Sequence, residues 1–233
     1  NVLAISCHPD DVEIGCGGTL VKYAERGDRV TICHVANGNM GHVVIGPDEL
    51  GRIRNGEARA GGALLGAAEV ISMDVGDLLI DAKDQGLVRA MVEVIRGVDP
   101  EIIITHAPND YMKDHVEVSR LAFDASFSAT VPHFAQGAFT HSFAPIFYMD
   151  TLAGVNFQPE FYVDITGQLE RKLRALDAHE SQIKWMRDHD HIDFLDMVAT
   201  CAKYRGYQCG VRYAEGFQIC KAYPRMTTRN LLP

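Results

Sequence analysis

Hydrophobic and polar positions along the first hundred residues switch regularly between two patterns. A short apolar stretch over 2–7 reads as a buried strand, and Leu20, Val21 and Ala24 then recur on one helical face before Gly27 ends the helix. The alternation repeats: it predicts a strand over 29–35, a helix over 49–65 closed by Gly66, a strand over 70–73, a helix over 85–95 and a strongly apolar strand over 101–106. Strands alternating with helices imply a parallel sheet covered on both faces. Farther on, a helix is expected over 116–129, strands over 145–149 and 161–165, a long amphipathic helix over 167–186 and a closing strand over 217–222. The segment 187–210, rich in His, Asp, Tyr and Gly, reads as a loop with a short helix. No internal repeat, low-complexity tract or flexible linker interrupts the chain, so residues 1–233 are expected to form a single domain.

Composition narrows the function classes. With 47% apolar and 23% charged residues the chain can bury a large core. Its 22 basic and 31 acidic residues leave a net charge of −9, which repels nucleic-acid backbones and anionic membranes, and no basic patch offsets it. The longest apolar runs fall far short of a bilayer span, and no signal-like segment opens the sequence. Six cysteines are present without a Cys-x-x-Cys pair, and Cys7 and Cys33 lie inside apolar strands, so reduced, packed thiols and a cytoplasmic setting are expected.

The candidate chemistry sits at the exit of the first strand. Ligands bind outside the carboxyl ends of the strands in such a sheet, and there the chain carries His8-Pro9-Asp10-Asp11. A hydrolytic metal centre needs three imidazole or carboxylate ligands, an open position for water and a nearby carboxylate that is free to take a proton. His8 and Asp11 can reach one metal while Asp10 is left for the water. The third ligand is sought in the segment 105–115, where His106 ends a strand and His115 opens the next helix with Asp114 beside it. His115 is the better placed, and Asp114 can fix a ring orientation. Singly, Asp10-Asp11 and Asp114 are also ordinary helix-capping residues. Together, at two strand ends, they point to a metal site.

The run from Ser6 through His8-Pro9-Asp10-Asp11 to Gly15-Cys16-Gly17-Gly18-Thr19-Leu20 resembles the first motif of the PIG-L/LmbE-like N-acetylglucosaminyl deacetylase family. Arg54-x-x-Glu57, the segment 105–115, His179-Glu180-Ser181-Gln182 and Ala214-Glu215-Gly216-Phe217 extend the resemblance over almost the whole chain. It implies a Rossmann-like three-layer sandwich and zinc held by His8, Asp11 and His115, although the ligand set alone does not choose zinc over iron, manganese or cobalt. It further implies Asp10 as general base, Arg54 near the substrate and Asp114 supporting the site. The implied reaction removes an acetyl group from a small N-acetylated sugar or related amide, and the implied assembly is a homo-oligomer, trimeric or hexameric. One position departs from the pattern: the family commonly has histidine three residues before the last ligand, whereas this chain has Met112, which cannot donate a hydrogen bond. His179, in a matching motif, is the favoured replacement, with His106, Lys113 and Tyr111 as further candidates.

Two other classes compete. The His-x-Asp spacing of His8 and Asp10 also occurs in the facial triad of non-haem iron oxygenases, but those carry it on antiparallel jelly-rolls. Gly15-Cys16-Gly17-Gly18 hints at a dinucleotide-binding turn, yet Leu20 replaces the third glycine and the second strand ends without an acidic residue for a ribose. His189-Asp190-His191 reads as a solvated loop, Trp185 and Met186 as packing, and the loop 37–42 as part of the same carboxyl edge.

Overall fold

The computed structural model describes residues 1–140, 142–227 and 231–233. The chain runs β1 (Val2–Ser6), α1 (Asp11–Gly15), α2 (Gly17–Arg26), β2 (Val30–Ala36), α3 (Pro47–Leu65), β3 (Glu69–Val75), α4 (Gln85–Val98) and β4 (Ile102–Thr105). It continues through α5 (Lys113–Ser128), β5 (Ile146–Met149), β6 (Phe161–Asp164), α6 (Leu169–Asp177), α7 (Glu180–Asp188), α8 (Phe194–Cys209) and β7 (Ala214–Ile219).

One seven-stranded sheet has the order β3-β2-β1-β4-β5-β7-β6. The first five of these are parallel, while β7 runs antiparallel to both β5 and β6. The chain winds outward from β1 to β3, then returns to place β4 on the other side of β1. That reversal is a topological switch point, where open sheets of this kind hold their ligands.

Period-two alternation along β1 divides the core. Leu3 and Ile5 pack with Met91, Val92, Val118 and Leu121 of α4 and α5, whereas Val2 and Ala4 pack with Leu20, Tyr23 and Leu65 of α2 and α3. Each such side chain leaving water stabilises the fold by roughly 1.5–3 kcal/mol, so a one-residue slip of β1 would expose both layers' contacts at once. Gly18 lets α2 lie against the sheet side, since a β-carbon there would fall 2.6 Å from Ile165 Cγ2. Gly17 and Gly18 thus lie within α2, and Gly18 serves close packing of the helix. Among the described residues no helix is long and apolar enough to cross a membrane, and all six cysteines are free, four of them buried.

The second half differs from the expected pattern in two places. The single helix over 167–186 is broken at Ala178-His179 into α6 and α7. The break turns His179 into the interior and offers the first turn of α7 to Glu57, which accepts from Ser181 N (2.7 Å) and Ser181 Oγ (2.6 Å). Helical periodicity continues on both sides of that bend, which hides it from the pattern. The expected loop over 187–210 is mostly the sixteen-residue α8. Asp193 caps it by accepting from Asp196 N, Gly210 ends it in a left-handed conformation, and Phe194, Val198 and Ala202 form its buried stripe. Polar composition masked that stripe. The closing strand also starts earlier than expected, at Ala214, which brings Glu215 into the sheet.

Candidate metal centre

The strands β1 and β4 are neighbours, so their carboxyl ends deliver Cys7-His8 and His106 to the same crevice. Asp10 follows with φ of 113°, outside the ordinary range for a residue with a side chain, and α1 then starts at Asp11. The helix α5 begins at Lys113, earlier than the periodicity predicts, and so carries Asp114 and His115 in its first turn.

These segments bring His8, Asp11 and His115 together: one ligand atom of each, with Cys7 Sγ, lies within 4.8 Å of the others. His8 Nδ1 is 3.6 Å from Asp11 Oδ2, and His115 Nε2 is 3.4 Å from Asp11 Oδ1. His115 is oriented by Asp110, whose Oδ2 lies 3.0 Å from its Nδ1. Its Nε2 is left buried without a hydrogen-bond partner. A carboxylate on one imidazole nitrogen and an orphaned second nitrogen facing another carboxylate is the arrangement of a metal-ligating histidine.

Charge supports the same assignment. Burial opposes protonation of His8, yet Asp11 and Asp114 raise its pKa well above the usual value. Burial likewise opposes His115, but Asp11 and Asp110 carry it up to about 9. Burial pushes Asp11 upward, and the His115 and His106 imidazoles outweigh it and hold Asp11 well below the carboxylate range. The surrounding carboxylates therefore demand positive charge at this point, and a divalent cation satisfies that demand while accepting the imidazole lone pairs. The residues fit a metal.

The remaining expected residues surround this cluster. Asp10 lies beside Arg54, whose Nη2 donates to Asp10 Oδ2 (3.0 Å) and Pro9 O (2.5 Å) and whose Nη1 donates to Gly38 O. Gly38 (φ 74°) is required for this, because a β-carbon would fall 2.4 Å from Arg54 Nη1. Burial, only partly opposed by Arg54, lifts the Asp10 pKa to about 6. Asp114 does not orient its neighbour His115; its Oδ2 accepts from Leu78 N (2.7 Å) and lies 3.8 Å from His8 Nε2. His106 stacks on His115 at 3.9 Å and accepts the Cys7 amide on Nε2 (2.9 Å), so that nitrogen is occupied, and burial lowers its pKa to about 4. His179 is fully buried, its Nε2 3.4 Å from Glu13 Oε1, and is not among the residues that line the cavity in front of the cluster.

That cavity measures about 250 Å³, and Asp10, Asp11, His8, His115, Arg54 and Met112 all line it. Asp110, Asp77 and Glu13 are contributors that the sequence reading missed. Asp77 accepts from the amides of Gly38 and Met40 and reaches within 4.0 Å of His8 Nε2. Its position just past a strand, at the shared carboxyl edge, was the available signal. Asp110 stood inside the 105–115 segment, but only the turn of that loop shows which carboxylate meets which imidazole.

The sequence model of the GlcNAc-PI de-N-acetylase family, PIG-L, matches residues 3–126. The chain belongs to this family. Membership in the PIG-L family agrees with two curated relatives. Diacetylchitobiose deacetylase of Thermococcus kodakarensis is 30% identical, over 94% of this chain and 82% of its own. A 4-oxalmesaconate hydratase of Pseudomonas putida is 25% identical over 97% and 91%. Among solved structures, N,N'-diacetylchitobiose deacetylase of Pyrococcus horikoshii superposes with a TM-score of 0.80 at 26% identity, covering 94% of this chain and 83% of the other.

Proposed function

We propose that this PIG-L family member is a zinc-dependent hydrolase that removes the acetyl group from an N-acetylated sugar or sugar conjugate, leaving acetate and a free amine. The observation that carries this reading is the pairing, in one cavity, of a three-ligand metal cluster with a separate carboxylate, Asp10, that is buried and lifted to a pKa of about 6.

His8, Asp11 and His115 would hold the ion. Bound there, zinc would supply Lewis acidity toward a carbonyl oxygen and a water whose pKa falls to roughly 7. Asp10 takes the proton from the attacking water and returns it to the departing amine. Arg54 fixes the Asp10 carboxylate in place and, with Pro9 O, holds the strained turn. Asp110 keeps His115 in one tautomer, and Asp114, 3.8 Å from His8 Nε2, bears on His8 through its charge. His179 acts from behind: with Glu13 it sits inside the fold and bears on Asp10 through its charge. It is therefore assigned a positioning role in place of the direct donor role expected from its motif. Met112 presents a thioether at the cavity wall and supplies no donor there.

The hydratase relative suggests a second reading, addition of water to a carbon–carbon double bond, in which Asp10 takes a proton from the attacking water and a proton is delivered to the neighbouring carbon. Incubation with N-acetylglucosamine derivatives, with zinc and with a chelator, separates the two. Release of acetate that is lost on chelation supports deacetylation. Absence of acetate from every derivative tested by the zinc-loaded protein refutes it.

A further inference from the structure

The cavity has two chemically distinct parts. Around the metal cluster it is polar and charged, whereas the rest of its wall includes Ile14, Met112, Met149, Leu152, Met186 and Phe194. Four of these, Ile14, Leu152, Met186 and Phe194, belong to one apolar cluster centred on Leu176, Phe194 and Val198, so they form a continuous surface. Three of the chain's eight methionines face this one cavity. Methionine is flexible and polarisable, and it fits itself to apolar groups of varied shape.

Several polar groups of the cavity are held by bonds within the protein. Arg54 donates to Gly38 O, Pro9 O and Asp10, and its Nε is buried. Asp77 accepts two backbone amides, and both oxygens of Asp150 are taken by Arg205 at 2.6 and 3.1 Å. Gln182 donates to Gly41 O and keeps Oε1 and a second amide N–H to offer. On the part of the wall formed by Ile14, Leu152, Met186 and Phe194 a sugar hydroxyl leaving water meets carbon and sulfur, and an unpaired hydroxyl is penalised. The volume of about 250 Å³ is just under the ~300 Å³ at which small-molecule sites usually begin.

We infer that the substrate carries an apolar group next to its acetamide, an aryl or alkyl substituent, and that the Met186 and Phe194 surface selects it. This rests on the deacetylase reading above and adds the substrate class. The experiment compares kcat/KM for acetate release from N-acetylglucosamine with that from its phenyl glycoside. The phenyl glycoside is expected to be preferred on the order of tenfold, the scale on which a small apolar contact discriminates. Met186→Gln, similar in size at a half-buried position, should bring the ratio close to one, while Met186→Leu should preserve it. That pairing separates loss of apolar character from misfolding. Equal kcat/KM for the two substrates, or an unchanged ratio in Met186→Gln, overturns the inference and leaves deacetylation standing. Acetate from neither substrate refutes the deacetylase reading itself, and the inference with it.

Discussion

Asp10 is a single residue set against its local backbone preference, and the proposed mechanism gives it the role of base. Its φ of 113° places a side-chain-bearing residue where glycine is at ease, at a strain of order 1–3 kcal/mol, and Arg54 together with the buried turn holds it there. Asparagine tolerates positive φ better than most residues. Asp10→Asn should therefore fold and retain metal by elemental analysis, while kcat for acetate release drops by about 10²–10⁴. His34 provides a separate prediction. Burial pushes its pKa down to about 4, from 6.5, while its Nδ1 lies 2.8 Å from Ser6 Oγ. The unfolded chain then binds a proton below pH 6.5 that the folded chain refuses until about pH 4, so this residue weakens the fold as pH falls through that window. The effect between pH 7 and pH 5 is about 2 kcal/mol. Urea unfolding of His34→Gln at the two pH values should show a correspondingly smaller pH dependence than the parent. How the histidines are placed was only partly legible: His8 and His115 stand in recognisable strings, but the Asp110 partner of His115 follows from how one loop turns.

At the scale of elements, the second half is tied together by a buried charge cluster. Glu215 on β7 accepts from Gly18 N, Thr19 N and Thr19 Oγ1 at the start of α2 and from Lys172 Nζ of α6. Both charged side chains are almost completely buried. Glu215→Gln leaves the ammonium without its counter-charge, which typically costs about 3–5 kcal/mol. The thermal midpoint, followed by circular dichroism, should fall by roughly 6–20 °C in a chain of this size. The double change Lys172→Met with Glu215→Leu should recover only part of that loss, because the α2 amides still lack their acceptor. None of this was visible beforehand: β7 was expected to start after Glu215, and α6 was expected to run unbroken into α7. Amphipathic periodicity reports which face of a segment is buried, and it does not report a bend that keeps the same face inward.

For the molecule as a whole, the proposed metal binding would be coupled to folding stability, because His8 and Asp11 on the β1 side and His115 on α5 converge only in the folded chain. Zinc at a hundred times its dissociation constant should stabilise the protein by about 2.7 kcal/mol. This corresponds to a rise of roughly 5–10 °C in the calorimetric midpoint, and His115→Ala should show no such rise. The alternating layers, the parallel half of the sheet and the strand ends at which His8, Asp11 and His106 gather were all legible in the sequence alone. Their cause is local: side-chain period sets the element, and strand–helix alternation leaves few ways to bury both faces. Tertiary structure alone decided the rest. It determined that β4 returns beside β1, that Asp110 meets His115 while Asp114 faces His8, that His179 points inward to Glu13, and that the methionine wall lines the cavity. Those relations join residues distant in the chain, and they exist only once packing has chosen among contacts that local periodicity leaves equally open.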